Sequence, residues 1–217
     1  MGLMCCKCCC CSCKKYSSTV GVLPTEKYKV ILLGLPQSGK TEVGHCISGT
    51  ERTTFESTNG VQFFQVQTEK PYNAGLYITE SMGIIYCFDM SSRYEDMRRS
   101  FDLLQCMLAH PFVRGKPVLV VASKADIANS GLLLYDIENT FLLEAMARKY
   151  KSSLLMCYCG RPVGANSRRT DRDKDLMESL QNGINWLVWM ICANYNHLMK
   201  RIKCDTNIKL WQQQMDS

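Results

Sequence analysis

"KYKVILLGLPQSGKT", Lys27 to Thr41, sets an apolar run directly against a glycine–lysine loop, and that pairing decides the fold. The run is rich in Val, Ile and Leu and ends at Gly34 and Pro36, which is the pattern of a strand buried on both faces. Gly34, Gly39, Lys40 and Thr41 then fall at the spacing of a Walker A loop, with Leu35, Pro36, Gln37 and Ser38 between the glycines. The residue types suit the chemistry. Glycines let backbone N–H groups close around phosphate oxygens, Lys40 reaches the β- and γ-phosphates, and the Thr41 hydroxyl is a ligand for Mg²⁺. A helix-compatible stretch from Thr41 to Ser48 follows, so strand, loop and helix stand in the order this function needs.

Two further runs share the character of the first, "GIIYCFD" (83–89) and "PVLVVAS" (117–123). Between them Met97, Phe101, Leu104 and Met107/Leu108 recur at helical spacing, with Ser91 or Ser92 expected as the cap and Pro111 as the stop. A second helix is expected over 134–150, a strand at "SLLMCYCG" (153–160), and one long helix over roughly 173–203. Buried strands alternating with helices predict an α/β fold of P-loop type, its sheet mainly parallel with helices on both faces. The expected organisation is a tail over 1–26, one domain over 27–203 and a short tail over 204–217.

The length of 217 residues suits a single domain with a full core, and the net charge of +6 is modest. That charge reads as a solubility feature or as a weak preference for an anionic membrane, and no nucleic-acid partner is expected. Fourteen cysteines are present, and their placement decides their meaning. Cys5, Cys6, Cys8, Cys9, Cys10, Cys11 and Cys13 crowd the start, whereas the others are scattered through the body. Adjacent cysteines are poorly placed to pair with each other, and no apolar leader core precedes them. A reducing cytosolic location is expected, with the body cysteines mostly acting as small core residues. The longest apolar run, near 184–193, is too short to span a bilayer.

"ASKAD" closes the third buried run and puts Ser123, Lys124 and Asp126 at the carboxyl end of a strand, where sheets of this class bind ligands. An Asp there accepts hydrogen bonds from both guanine N1–H and N2–H₂, which adenine does not offer, and the neighbouring Lys lies along the base. With these residues in place the chain resembles the ADP-ribosylation-factor-like (Arf-like) small GTPases over roughly 27–203. It is most similar to the acylated ciliary branch, the Arf-like thirteen subgroup. "YITESMGIIYCFDMSS", "LAHPFVRGKPVLVVASKAD", "NGINWLVWMICANYNHLMKRI" and the cysteine-rich start carry the closer match. The resemblance implies GTP or GDP with Mg²⁺ as ligands, switch loops that report the γ-phosphate, and action at ciliary membranes. It also implies a partner that is an effector or another Arf-like GTPase, on which relatives promote nucleotide exchange. Relatives in that branch extend well beyond the GTPase body, so functions placed in such extensions are not expected of residues ending at Ser217.

The departures from that pattern are specific. Thr58 and Gly60 match the Thr-x-Gly of the first switch, which makes Thr58 the second candidate hydroxyl for Mg²⁺. Pro36 offers no N–H, and Gln37 stands where relatives have a smaller or acidic residue. Ser123 replaces the usual Asn of the base motif and is expected to brace it less firmly. Cys159 falls where the family's last guanine loop directs a backbone N–H at O6. Residues 61–82 are expected to supply two strands joined by a hairpin and the second switch, yet they contain no Asp. Asn73-Ala74-Gly75 is a degenerate remnant of the family's Asp-x-x-Gly, and no Gln follows it to orient water. No catalytic residue is assigned, and intrinsic hydrolysis is expected to be very slow or absent.

The start, "MGLMCCKCCCCSCKK", reads first as an S-palmitoylation cluster beside Lys7, Lys14 and Lys15, since several acyl chains plus basic residues anchor firmly where one does not. Gly2 is a weaker myristoylation candidate because Cys6 occupies the position that prefers Ser or Thr. A thiolate metal cluster and a plain unstructured tail are the alternatives. Three functions follow: a membrane-anchored GTP-binding regulator, a pseudo-GTPase scaffold, and a small-molecule kinase that would use the arginines of 160–174.

Overall fold

The computed structural model describes residues 28–48, 61–65, 75–128, 131, 133–160 and 171–215. Strands β1 (Tyr28–Gly34), β2 (Val61–Gln65), β3 (Gly83–Asp89), β4 (Val118–Ser123) and β5 (Leu154–Tyr158) form one sheet in the order β2-β1-β3-β4-β5. Every neighbouring pair is parallel. The helices are α1 (Lys40–Ser48), α2 (Gly75–Glu80), α3 (Tyr94–Ala109), α4 (Leu134–Thr140), α5 (Leu143–Tyr150), α6 (Asp171–Ala193) and α7 (Tyr195–Met215).

The apolar runs explain the layering. On β3, Ile84, Tyr86 and Phe88 pack with Met97, Phe101 and Leu104 of α3 and with Ile137 and Leu143 beyond it. The alternate residues Ile85 and Cys87 face Val43 of α1, Leu187 and Ile191 of α6 and Leu198 of α7. A parallel sheet covered on both faces needs apolar residues at every position, and each large one buried contributes roughly 1.5–3 kcal/mol. The Tyr86 hydroxyl in this layer donates to Ser100 O at 2.7 Å. The α/β fold with helices on both faces is therefore as the sequence predicts.

Residues 61–65 form one strand, β2, which pairs directly with β1 in parallel, and the rest of the hairpin expected within 61–82 falls on 66–74, outside the described residues. Four local expectations are corrected. The helix expected over 134–150 is broken at Leu142, whose φ of 53° is left-handed. The helix expected over 173–203 is two helices meeting at Asn194, whose amide N–H and side-chain Nδ2 both bond Met190 O. Its second half runs on to Met215, so helix occupies most of the stretch expected as a tail. Arg201 fixes α7 by donating to Pro111 O at 2.5 Å, to Arg114 O and to Asp205. Ser91 and Ser92 do not cap α3, because both hydroxyls are taken by Asp89.

At the amino end of the sheet, α2 is fastened by two lysines. Lys29 pairs with Glu80 at 2.5 Å. Lys116 is fully buried and donates to Ile78 O at 2.6 Å and Thr79 O at 3.1 Å, satisfying carbonyls that a helix end leaves unpaired. Burial, with a smaller push from Arg201 and opposition from Asp205, lowers the Lys116 amine to about 7.

Candidate functional site

Because all strands are parallel, their carboxyl ends share one edge. The register sets Gly34 beside Cys87, Asp89 beside Ser123, and Ala122 beside Tyr158. The loops leaving β1, β3, β4 and β5 therefore converge, as ligand sites of open α/β sheets require.

Backbone geometry shapes the first loop. Gly34 (φ 149°) lies so close to β3 that a methyl group on it would sit 2.2 Å from Cys87 O. Gln37 adopts φ 61° and Gly39 φ 77°, so the chain curls before α1 begins at Lys40. Left-handed residues alternating with ordinary ones ahead of a helix N-terminus turn N–H groups inward, and the first helical N–H groups have no intrahelical partner. The Lys40 ammonium arches over the loop to Gly34 O at 3.0 Å and Leu35 O at 2.5 Å. Burial lowers its pKa, while the Cys87 thiol opposes the shift. Thr41 is exposed in the first turn of α1. Pro36 and Gln37 are exposed at the tip. The donor set is cationic or N–H throughout, and it fits a polyphosphate.

Ser123 ties this loop to the turn at 123–126 more closely than its short side chain suggested. Its buried hydroxyl lies 2.7 Å from Ser38 O and 2.9 Å from Phe88 O, so one proton serves two carbonyls. Gly39 permits the approach, since a methyl group there would stand 2.7 Å from Ser123 Oγ. Ser38 Oγ is the one buried side-chain polar atom without a partner among the described residues.

Lys124 follows in the left-handed region (φ 56°) and pairs with Asp89 Oδ2 at 2.5 Å. Asp89, missed in the sequence, also receives the Ser91 N–H at 2.9 Å and its hydroxyl at 2.6 Å. Burial opposes ionisation of Asp89, yet Lys124 and Ser91 hold its carboxyl below the ordinary range. The signal for it was its position at the end of a buried run beside the base motif. Asp126 is half-buried beside Gly160, where a methyl group would lie 3.3 Å from Asp126 Oδ1. Arg172 of α6 donates to Ala125 O at 2.8 Å, bracing the same turn.

The Cys159 expectation changes. Its N–H bonds Ala122 O at 2.8 Å and its carbonyl accepts from Ala125 N, because the residue prolongs the pairing of β5 with β4. That N–H is committed, and the backbone beyond the sheet beside Asp126 is at Gly160. Thr58, the remnant Asn73-Ala74 and all candidate acylation sites lie outside the described residues. Among the described residues no group of three or more His, Cys, Asp or Glu side chains is placed to hold a metal ion. No described helix is long and apolar enough to cross a membrane. No protein-family model matches the chain.

Proposed function

We propose that the chain is a membrane-anchored, guanine-nucleotide-binding regulatory protein of the Arf-like small-GTPase type, with weak or absent intrinsic hydrolysis. The observation that carries the reading is the convergence of the curled Gly34–Thr41 loop with Ser123, Lys124 and Asp126 through the Ser123–Ser38 contact. Lys40, the loop N–H groups and the start of α1 hold the phosphates, while Lys124 and Asp126 hold the base. Mg²⁺ is held by the Thr41 and Thr58 hydroxyls and, when bound, neutralises phosphate charge. No carboxylate from 61–82 other than Glu69 and Glu80 is present to support it, and Glu80 is engaged by Lys29 at the opposite edge. Hydrolysis therefore lacks both the Asp-x-x-Gly anchor and a Gln to orient water. The acylated cysteine arm, with or without Gly2 myristate, places the domain on a membrane of ciliary type. There, nucleotide state selects an effector or another Arf-like GTPase as partner.

A second reading, a pseudo-GTPase scaffold, is favoured by one observation: Lys40 is satisfied by carbonyls of its own loop. Nucleotide content and a single-turnover GTP assay on the purified full chain separate the two. Bound guanine nucleotide with negligible turnover supports the first reading. A folded protein that carries and takes up neither GTP nor GDP leaves the scaffold.

A further inference from the structure

Of the seven cysteines in the described part of the chain, all free, two meet behind the base loop. Cys46 lies near the end of α1, and Cys159 directly follows β5. Their sulfurs lie 3.7 Å and 3.6 Å from the same atom, the carbonyl oxygen of Gly160. Both thiols are therefore gathered on one carbonyl, from two elements far apart in the sequence. Their chemical environments differ. Cys159 is 2% exposed, whereas Cys46 is only half-buried and opens towards solvent. The neighbouring Cys159 side chain lowers the Cys46 thiol against the opposing effect of burial, while Cys46 and burial raise that of Cys159. One sulfur is thus the better thiolate and the reachable one, and the other is held protonated against it.

We propose that Cys46 and Cys159 form a reversible oxidation site, in which Cys46 takes the oxidising equivalent from a hydroperoxide and Cys159 resolves it as an intramolecular disulfide. The Cys46 thiolate attacks the distal peroxide oxygen, the O–O bond breaks, and the departing alkoxide or hydroxide takes up a proton. The resulting Cys46 sulfenic acid is attacked by Cys159. An S–S bond forms, the S–O bond breaks, and the hydroxide leaves as water with the Cys159 proton. Two thiols lose two electrons and two protons, and the peroxide is reduced to an alcohol or water with one further water. The sulfurs start on one shared carbonyl oxygen, and the disulfide brings them to about 2.05 Å. Cys87 and Cys157, fully buried in the apolar layer, have no comparable access, and burial raises both thiols. The bond ties the end of α1 to the backbone that carries Gly160, next to Asp126. It does not depend on nucleotide being bound.

The test treats the full chain with one equivalent of hydrogen peroxide, blocks remaining thiols in denaturant and digests with trypsin without reduction. The expected product joins the peptide 41–52, which holds Cys46, to 152–168, which holds Cys157 and Cys159 on either side of Tyr158. Fragmentation between Cys157 and Cys159 places the bridge on Cys159. The joined peptide should rise at least tenfold over untreated protein, disappear on addition of dithiothreitol, and be lost in Cys46→Ser. That variant should retain reduced Cys159, since the resolving thiol is not itself oxidised. Cys46 bridged instead to the N-terminal cysteines or to Cys157, or left unbridged while Cys106 and Cys204 oxidise, would overturn the proposal. So would an undiminished Cys159 disulfide in Cys46→Ser.

Discussion

Ser123→Ala tests the contact that holds the Gly34–Thr41 loop against the Ser123–Asp126 turn. The hydroxyl is 1% exposed and lies within hydrogen-bond distance of two backbone carbonyls, Ser38 O and Phe88 O. Removing it leaves at least one buried acceptor unpaired. The net hydrogen bond is about 1 kcal/mol and the stranded carbonyl costs on the order of 1–3 kcal/mol, so a loss of roughly 2–4 kcal/mol is expected. For a domain of this size each kcal/mol moves the midpoint by about 2–4 °C, which places the drop at about 4–16 °C by calorimetry. The loss should be local as well as global: amide exchange should quicken across Gly39–Val43, where the loop passes into α1, more than across β5. Ser92→Ala is the control, since its hydroxyl bonds Asp89 O in a partly exposed turn, and it should cost less than about 1 kcal/mol. Ser123→Asn, which restores the residue expected in this motif, should not stabilise the protein. A methyl on Gly39 would already lie 2.7 Å from Ser123 Oγ, so a longer side chain pushes the loop away. A Ser123→Ala variant within 0.5 kcal/mol of the parent, or one no worse than Ser92→Ala, refutes the bracing role.

Two other expectations concern the frame around the site. The Lys116 amine is lowered to about 7 from an ordinary 10.5, so above pH 7 the unfolded chain binds a proton that the folded one releases. Stability should therefore rise between pH 7 and about 10, by up to ~1.4 kcal/mol per unit, and Lys116→Met should flatten that rise in urea titrations at several pH values. An unchanged slope in the variant would assign the dependence elsewhere. Gly183→Ala in α6 should destabilise by about 1–3 kcal/mol although Ala is the better helix former by roughly 1 kcal/mol, because its methyl would meet Cys157 Sγ at 2.9 Å and Leu119 Cδ1 at 3.0 Å. A thermal midpoint at or above the parent's would show that the helix shifts freely there.

How far the sequence carried depended on where the controlling interaction lay. β1, β3 and β4 were readable because burial on both faces leaves unbroken Val, Ile and Leu runs, and Gly34, Gly39 and Lys40 were readable because their spacing is itself the loop. The breaks in the long helical patterns were not. Leu142 turns left-handed without a Gly or Pro to announce it, under tertiary packing that overrides local preference, and Asn194 is a weak signal inside an otherwise continuous stripe. Ser91 and Ser92 had the right chemistry for a cap but a stronger local partner in Asp89. The role given to Cys159 failed for a related reason: a strand end can continue by one residue, and that residue's N–H is then spent on Ala122 O. The meeting of Cys46 and Cys159 on Gly160 O joins residues far apart in the chain, and no short-range pattern could have shown it.

Equilibrium titration of the full chain with GTP and ATP in Mg²⁺ buffer asks whether the edge formed by Lys40, Ser123 and Asp126 binds a guanine nucleotide, as proposed. Saturable GTP binding at micromolar or tighter affinity is expected, with a clear preference over ATP and loss of binding in Lys40→Ala with the thermal transition retained. Equal or stronger binding of ATP, or no binding of either nucleotide by a cooperatively folded protein, would contradict it.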